Sequence, residues 1–174
     1  MILRCTSRML DVIGGKPELV DVEPNVEDWY ANVVYIGGKK CVLLVHDGTL
    51  FSSFRFNVAV GLLRPISGYV YSQIVRALES EGFPADALGD IDDRQIRLAR
   101  TRSRSVLGSM NDMVIMARHL IRSEGGLGGC DIGRLNHFLR DTPNAARGFA
   151  TPLELVSRRL VSEWPPRTRE ESIG

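Results

Sequence analysis

Residues 29–56 read WYANVVYIGGKKCVLLVHDGTLFSSFRF, and they predict the centre of the fold. Aromatic and β-branched residues dominate this stretch, as is typical of β-strands. It is interrupted by Gly37-Gly38 and by Asp47-Gly48, dipeptides that tolerate the positive φ angles of two-residue hairpin turns. The stretch therefore predicts a three-stranded antiparallel meander with strands over 29–36, 39–46 and 49–56.

Two-residue turns would fix the register of this meander, and register fixes which side chains share a face. Tyr35 would then lie opposite Lys40, and Lys40 opposite Arg55. One face would carry Trp29, Ala31, Val33, Val42, Leu44, His46 and Phe51. The other would carry Tyr30, Asn32, Val34, Cys41, Leu43, Val45, Leu50 and Phe54. Because both faces are largely apolar, we expect both to be covered.

On either side of the meander, the sequence predicts two more strands and five helices. The strands are expected over 2–6 and 94–100, and the helices over 7–13, 68–81, 103–124, 132–140 and from 152 onward. In the fourth helix we expect Ile132, Leu135, Phe138 and Leu139 to face inward. In the last helix, which Trp164-Pro165-Pro166 should end, we expect the same of Leu153, Val156, Leu160 and Val161.

These elements predict the α+β class: an antiparallel meander extended by extra strands and packed against several α-helices. A length of 174 residues fits one domain, which we place at residues 1–164, followed by a frayed tail over 165–174. The formal net charge of +1 excludes a strongly basic or acidic chain as a whole.

Cysteine usage and hydropathy favour a cytoplasmic protein without a membrane partner. The three cysteines, Cys5, Cys41 and Cys130, have no close pair, which favours a reducing compartment over a disulfide framework. The first residues resemble no signal peptide, and no apolar run approaches the roughly 18–20 residues that a membrane span needs.

Motifs for a metal or a cofactor are missing from the sequence, so neither is predicted. The three histidines are widely spaced, and the cysteines lack Cys-x-x-Cys spacing. The glycines of residues 125–129 follow a predicted helix rather than a strand, which argues against a phosphate-binding loop. Cys41 and His46 fall on opposite faces, so they cannot form a cysteine–histidine nucleophile pair with each other, whereas Cys5, near a strand end, stays possible as a nucleophile.

The most distinctive local feature is a run of arginines that leads from the predicted strand 94–100 into the helix beginning near residue 103. Free backbone N–H groups at a helix start favour an anion, and arginines with hydroxyl groups would complete such a site. The candidates are Arg97, Arg100, Thr101, Arg102, Arg104 and Ser105. The alternative is a capped helix whose solvated arginines pair with Asp90, Asp92 and Asp93.

A second candidate surface joins Tyr35, Lys40 and Arg55 at one end of the sheet. Aromatic and basic side chains on a sheet can hold single-stranded nucleic acid by stacking and phosphate contacts. The alternative is a sheet edge protected by charge against association with another sheet.

Five segments occur in a fixed order: Arg4-Cys5-Thr6, Trp29-Tyr30-Ala31-Asn32, Lys39-Lys40-Cys41, Thr49-Leu50-Phe51 and residues 101–112. Together they resemble a bacterial family of small domains of unknown function, over residues 1–163. Many members carry Arg-Lys-Cys in place of Lys-Lys-Cys. The resemblance implies one domain in a bacterial cytoplasm, and the family has no established activity that could be carried over. The resemblance also adds Arg4, Asn32 and Asn111 to the candidate residues.

Three classes of function stay open at this point. The first is a binding module for nucleic acid or another polyanion. The second is a protein-interaction module, such as a regulatory or antitoxin-like partner or an obligate dimer. The third is a small nuclease or phosphate-ester enzyme, with Arg104 holding an anion and His46 or Asp112 as a base. The sequence does not decide whether the protein is an enzyme.

Overall fold

The computed structural model describes residues 1–161, which form five strands and five α-helices. The strands are β1 (Ile2–Cys5), β2 (Trp29–Ile36), β3 (Lys39–His46), β4 (Ser52–Phe56) and β5 (Arg97–Arg100). The helices are α1 (Ser7–Ile13), α2 (Ile66–Ser80), α3 (Arg104–Ser123), α4 (Ile132–Arg140) and α5 (Pro152–Leu160). The predicted α+β class is confirmed. The predicted helix stop at 164–166 and the predicted tail 165–174 lie outside the described residues.

One sheet contains all five strands in the order β4-β3-β2-β1-β5. The strands β2, β3 and β4 form the predicted antiparallel meander, and β1 pairs in parallel with both β2 and β5. The strand β5 is shorter than the predicted strand over 94–100. The Asp92 side chain accepts a hydrogen bond from the Arg94 backbone N–H and begins a 3₁₀ turn over Asp93–Gln95 ahead of the strand.

Apolar side chains cover both faces of the sheet, and the predicted faces of the meander are confirmed. On one side, Trp29, Val33, Leu44 and Phe51 belong to a core shared with α1 and α2. On the other side, Tyr30, Val34, Leu43 and Phe54 belong to a core shared with α3 and α4. The sheet is therefore the middle of three layers, and only its edges have backbone groups without a neighbouring strand.

The second hairpin is longer than the Asp-Gly dipeptide predicts. The backbone N–H of His46 donates to the carbonyl of Phe51, so the loop contains residues 47–50. Leu50 takes a φ of 56° within this loop and is fully buried. Arg55 consequently pairs with Val42 rather than with Lys40. The slip amounts to two residues, and since side chains alternate with a period of two, the faces are unchanged.

Four of the five predicted helix starts are confirmed by side-chain caps, whereas α2 begins at Ile66, two residues before its predicted start, and has no side-chain cap. The Thr6 side chain accepts a hydrogen bond from the Met9 backbone N–H at the start of α1. The side chains of Ser103 and Asp131 each accept one from a backbone N–H of their own helix, at the starts of α3 and α4. Thr151 and Glu154 form the predicted reciprocal capping box at α5. Local sequence therefore sets where these helices begin.

The inward face predicted for α4 is partly wrong. Leu135 and Leu139 are buried as predicted, but Phe138 is 43% exposed, whereas Asn136 and Arg140 are buried. The helix packs beside the outer edge of β4, where backbone N–H and C=O groups need hydrogen-bond partners. Polar side chains therefore take inward positions that an amphipathic pattern would give to apolar ones.

The inward face predicted for α5 is also partly wrong. Val156 is buried as predicted, but its buried neighbour is Leu155. Leu160 and Val161 are 46% and 69% exposed among the described residues. The helix contributes one short apolar edge to the core beside α2, and its last turn extends past that core.

Candidate functional site

The predicted candidate Arg4 lies in β1 and is buried, with 1% of its surface exposed. Its Nε donates to Asp28 Oδ2 at 2.6 Å. Its other nitrogens donate to the carbonyls of Val22, Glu23 and Arg100 at 2.9, 2.7 and 3.2 Å. Arg4 therefore ties the loop before β2 and the end of β5 to the sheet, and intramolecular partners occupy its guanidinium group.

Asn32 and Lys40 lie apart from each other in the meander. Asn32 is half-buried, and its Oδ1 accepts a hydrogen bond from Thr6 Oγ1 at 2.9 Å, which links the cap of α1 to β2. Lys40 lies opposite Tyr35 as predicted. Because of the longer second hairpin, Arg55 is two residues out of register with this pair, so the predicted row of Tyr35, Lys40 and Arg55 is broken.

The predicted arginine segment runs along β5 and into α3 without forming one surface. Arg97 and Arg100 are both exposed at the two ends of β5. Since they are three residues apart in a strand, their side chains leave opposite faces of the sheet. Thr101, between β5 and α3, is half-buried.

Arg102 is occupied by acidic partners. Its guanidinium group forms ion pairs with Asp21 and Glu23 in the loop before β2. The pairing predicted as the alternative thus occurs, but with acids of a distant loop instead of those at 90–93. Exposed pairs of this kind add little stability, although they cancel the local positive charge.

Two of the other candidates, Arg104 and Ser105, line a cavity of about 470 Å³ between α3 and the chain that follows α4, here called the α3 cavity. Asp112 lines it as well. Arg104, Gly108 and Asp112 are spaced by four residues, so they share one face of α3. Asn111 is exposed and lies outside this wall.

Two further cavities adjoin along the outer edge of β4, and we call them together the edge cleft. The larger, of about 580 Å³, lies between α2, β4 and α4. The smaller, of about 380 Å³, lies between α2, the end of β4 and the residues that follow it. Arg55, Gln73 and Arg76 line both cavities, so the two cavities are adjacent.

A buried polar network forms one wall of the larger cavity. Arg140 Nη1 donates to Glu81 Oε1 at 2.8 Å and to Ser80 Oγ at 3.0 Å, and its Nε donates to the Ser52 carbonyl at 2.7 Å. His137 Nδ1 lies 2.9 Å from Glu81 Oε2. Burial raises the pKa of Glu81, but the hydrogen bonds from Arg140 and His137 outweigh it and leave the pKa below its ordinary value. Glu81 is therefore an ionised and paired carboxylate.

The edge cleft has an excess of positive charge. Glu81 is the one acidic side chain on its walls among the described residues, and it is already paired. Arg134 lines the larger cavity and forms an ion pair with Glu124. Arg55 and Arg76 are exposed and have no acidic partner within residues 1–161. Two guanidinium groups in the cleft thus remain available to an anion.

Part of the β4 edge is closed by a side-chain amide. Asn136 Oδ1 accepts a hydrogen bond from the Phe54 backbone N–H at 2.7 Å, and Asn136 Nδ2 donates to the Phe54 carbonyl at 2.8 Å. The amide thus takes the place that a peptide group of a neighbouring strand would have. This pairing protects the edge from association and leaves the cleft for a ligand of another kind.

Replacing Asn136 with alanine is expected to lower the free energy of unfolding by about 1–3 kcal/mol, because the Phe54 N–H and C=O would lose their partners. Urea denaturation would measure the change. The matched control is Asn111→Ala on the exposed side of α3, with an expected change within about 0.5 kcal/mol. Equal stability of the Asn136 variant and the unmodified protein would mean that water replaces the amide without loss.

Sequence reasoning missed most of the cleft. Gln73, Arg76, Ala77 and Ser80 have the spacing i, i+3, i+4, i+7 and therefore form one stripe of α2. Helical periodicity could therefore have shown that these four residues lie on the same face of α2. Its partner residues on α4 lie more than fifty positions later in the chain, and no local pattern indicates that α2 and α4 meet around the edge of β4.

Among the residues considered for nucleophilic or base chemistry, the cysteines and His46 are buried, whereas Asp112 is exposed and lines the α3 cavity. Burial raises the pKa of the Cys5 thiol to about 12 and also raises the pKa of Cys41 and of Cys130. Burial lowers the pKa of His46 to about 3. These thiols are therefore held in the neutral form, and His46 has no exposed surface with which to contact a substrate.

The described part of the chain contains neither a group of metal-binding side chains nor a membrane-spanning helix. Within residues 1–161, no three His, Cys, Asp or Glu side chains are grouped closely enough to hold a metal ion. Across the same residues, none of the helices combines the length and the apolar content needed to cross a membrane.

Comparison with known proteins identifies a family. A family model described as a domain of unknown function (DUF6933) matches residues 2–155. The matched range contains all five strands, α1 to α4 and the residues that line the edge cleft. No curated protein matches the chain.

Proposed function

Because the chain belongs to the family of domains of unknown function DUF6933, we propose its function from geometry alone: it is a binding module for nucleic acid or another polyanion. The ligand lies in the edge cleft and contacts Arg55 and Arg76. Arg55 is one of the residues that the sequence indicated for this function, whereas Arg76 was not predicted and joins the site only in the folded structure.

The observation that carries the proposal is that Arg55 and Arg76 line one cleft together without an acidic partner among the described residues, whereas several other arginines are paired. Arg102, Arg134 and Arg140 have carboxylate partners, so their charge is used within the protein. Arg55 and Arg76 share a cleft with no unpaired acid among the described residues. Guanidinium groups without a carboxylate partner favour phosphate oxygens, which they bind through two parallel hydrogen bonds.

The shape of the cleft also supports an extended ligand. It lies along the outer edge of β4, and its two cavities share Arg55, Gln73 and Arg76 in their linings. Two adjacent cavities with unpaired basic side chains where they meet suit a ligand that extends into both, because neighbouring phosphates can contact Arg55 and Arg76.

The test is a salt titration of binding to labelled single-stranded RNA and DNA. Replacing Arg55 and Arg76 together with alanine is expected to weaken binding at least about tenfold, because two charge-assisted hydrogen-bonding groups are lost. The slope of log affinity against log salt should fall by about 1.4, which corresponds to two phosphate contacts on a single strand.

The matched control is the double variant Arg97→Ala/Arg100→Ala, which removes from β5 two exposed arginines that have no acidic partner in the described part of the chain. It should bind like the unmodified protein. A loss confined to this control would move the ligand from the edge cleft to β5. The absence of any binding to RNA or DNA at low salt would refute the proposed function.

A further inference from the structure

Tyr69 in α2 has a buried hydroxyl group without a hydrogen-bond partner. The residue is 9% exposed and lines the smaller cavity of the edge cleft. Its hydroxyl oxygen forms no hydrogen bond within the described residues. Buried hydroxyl groups in native proteins almost always have a partner, so one without a partner beside a cavity indicates a ligand or a water that completes it.

The Tyr69 hydroxyl stays a donor at neutral pH. Burial raises the pKa of Tyr69 to about 12, although the nearby Arg55 guanidinium acts in the opposite direction. A protonated phenol has one O–H to give, and an anion is the acceptor that forms the stronger bond with it.

Three more donors line the same cavity. The Gln73 side chain is buried, with 8% of its surface exposed, and its amide has no hydrogen-bond partner within residues 1–161. Arg55 and Arg76 add two guanidinium groups. No acidic side chain lines this smaller cavity among the described residues. The residues that line this cavity therefore include a phenol, an amide and two cations.

The number of donors distinguishes between kinds of anion. An internal phosphodiester or a carboxylate offers two charged oxygens, whereas a terminal phosphate offers three and about twice the charge. Four donor groups around one cavity match the larger number of acceptors.

We propose that the smaller cavity of the edge cleft is a subsite for the terminal phosphate of the ligand. Tyr69 and Gln73 donate to its oxygens, and Arg55 and Arg76 neutralise its charge. The inference rests on the proposed function, because the rest of the ligand would continue past the two arginines into the larger cavity. The phosphate group belongs either to a 5′-phosphorylated nucleic acid or to a free mononucleotide.

The experiment compares three probes: a 5′-phosphorylated oligonucleotide, the same oligonucleotide with a 5′-hydroxyl, and adenosine 5′-monophosphate. We expect the unmodified protein to bind the phosphorylated oligonucleotide about tenfold more tightly than the 5′-hydroxyl form, as charge-assisted hydrogen bonds would give. Tyr69→Phe should reduce this preference at least about threefold and leave binding of the 5′-hydroxyl form unchanged.

Tyr69→Phe is a clean test, because its hydroxyl forms no hydrogen bond with any of residues 1–161 and its removal takes no hydrogen bond from that part of the fold. The matched control is Tyr71→Phe, which lies on the same helix, is 40% exposed and lines neither cavity. This control should keep the full preference, and both variants should unfold at the same urea concentration as the unmodified protein.

The outcomes separate the inference from the proposed function. Equal affinity for both oligonucleotides, or a preference that survives in Tyr69→Phe, overturns the phosphate subsite and leaves the polyanion-binding function intact. If neither oligonucleotide binds, the proposed function is wrong. The binding of adenosine 5′-monophosphate to the unmodified protein and to Tyr69→Phe then tests the phosphate subsite by itself. Binding that weakens in Tyr69→Phe supports a subsite for a free nucleotide, whereas absence of binding overturns it.

Discussion

Replacing Arg4 with methionine is expected to lower the free energy of unfolding by about 3–5 kcal/mol, the range for removing one partner of a buried ion pair. Methionine fills most of the volume of the arginine stem but leaves Asp28 as a buried carboxylate without its cation. The carbonyls of Val22, Glu23 and Arg100 lose their donor at the same time. Urea denaturation followed by circular dichroism would measure the change.

Two further variants separate the buried charge from other effects. Arg102→Ala removes an exposed ion pair to the same loop, and the expected loss is at most about 1 kcal/mol. The double variant Arg4→Met/Asp28→Leu removes both charges and should recover much of the stability, because well-packed apolar groups replace a buried ion pair with little loss. A double variant as unstable as Arg4→Met alone would place the effect in the lost carbonyl bonds.

The parts of the fold that the sequence predicts well depend on local rules. Thr6, Ser103, Asp131 and Thr151 each cap a helix through hydrogen bonds that span three residues, so a short window contains both partners. The faces of the meander depend only on alternation. They are correct even though the second hairpin has two more residues than predicted, since a slip of two does not change parity.

The parts that the sequence does not predict depend on partners far apart in the chain. Arg102 pairs with Asp21 and Glu23, about eighty residues earlier, instead of with the acids close to it. Arg4 has the same side chain as Arg97 and Arg100, yet it is buried and they are exposed. Residue type alone cannot distinguish an arginine that binds a ligand from one that holds two loops together.

The edge cleft illustrates the same limit for a site. Arg55 was predicted from its strand, but Arg76 joins it because α2 crosses the end of β4. On α4, periodicity favoured Phe138 as an inward residue and gave no reason to place Asn136 there. The reason is the edge of β4, whose backbone groups take Asn136 and Arg140 as hydrogen-bond partners. The need for hydrogen-bond partners arises at the edge of β4, and the sequence of α4 alone does not indicate it.

His46 makes the stability of the protein sensitive to mild acid. The side chain is fully buried beneath the second hairpin, where Nδ1 accepts a hydrogen bond from the Thr49 backbone N–H at 3.3 Å and lies 2.9 Å from Thr49 Oγ1. Nδ1 is therefore the unprotonated nitrogen of a neutral ring. Burial lowers the pKa of His46 from its ordinary value of 6.5 to about 3, with Glu27 acting in the opposite direction and Arg159 and Arg147 acting in the same direction as burial.

The direction of the pH effect follows from which state binds the proton. Between pH 6.5 and about 3, His46 is protonated in the unfolded chain and neutral in the folded one. The unfolded state thus binds more protons, and the free energy of unfolding decreases as the pH falls. Well below pH 6.5 the slope approaches about 1.4 kcal/mol per pH unit, and the loss between pH 7 and pH 5 is about 2 kcal/mol.

His46→Asn should remove this acid sensitivity, because an amide oxygen can accept the Thr49 hydrogen bonds and does not titrate. The measurement is the free energy of unfolding at pH 7 and at pH 5, compared within each variant so that any cost of the smaller side chain cancels. The exposed control His119→Asn should keep the full pH dependence of the unmodified protein. If His46→Asn and the unmodified protein instead lost stability in parallel, the buried ring would have to accept its proton in the folded state. The hairpin would then open as part of that protonation, because a charged Nδ1–H would face the Thr49 N–H.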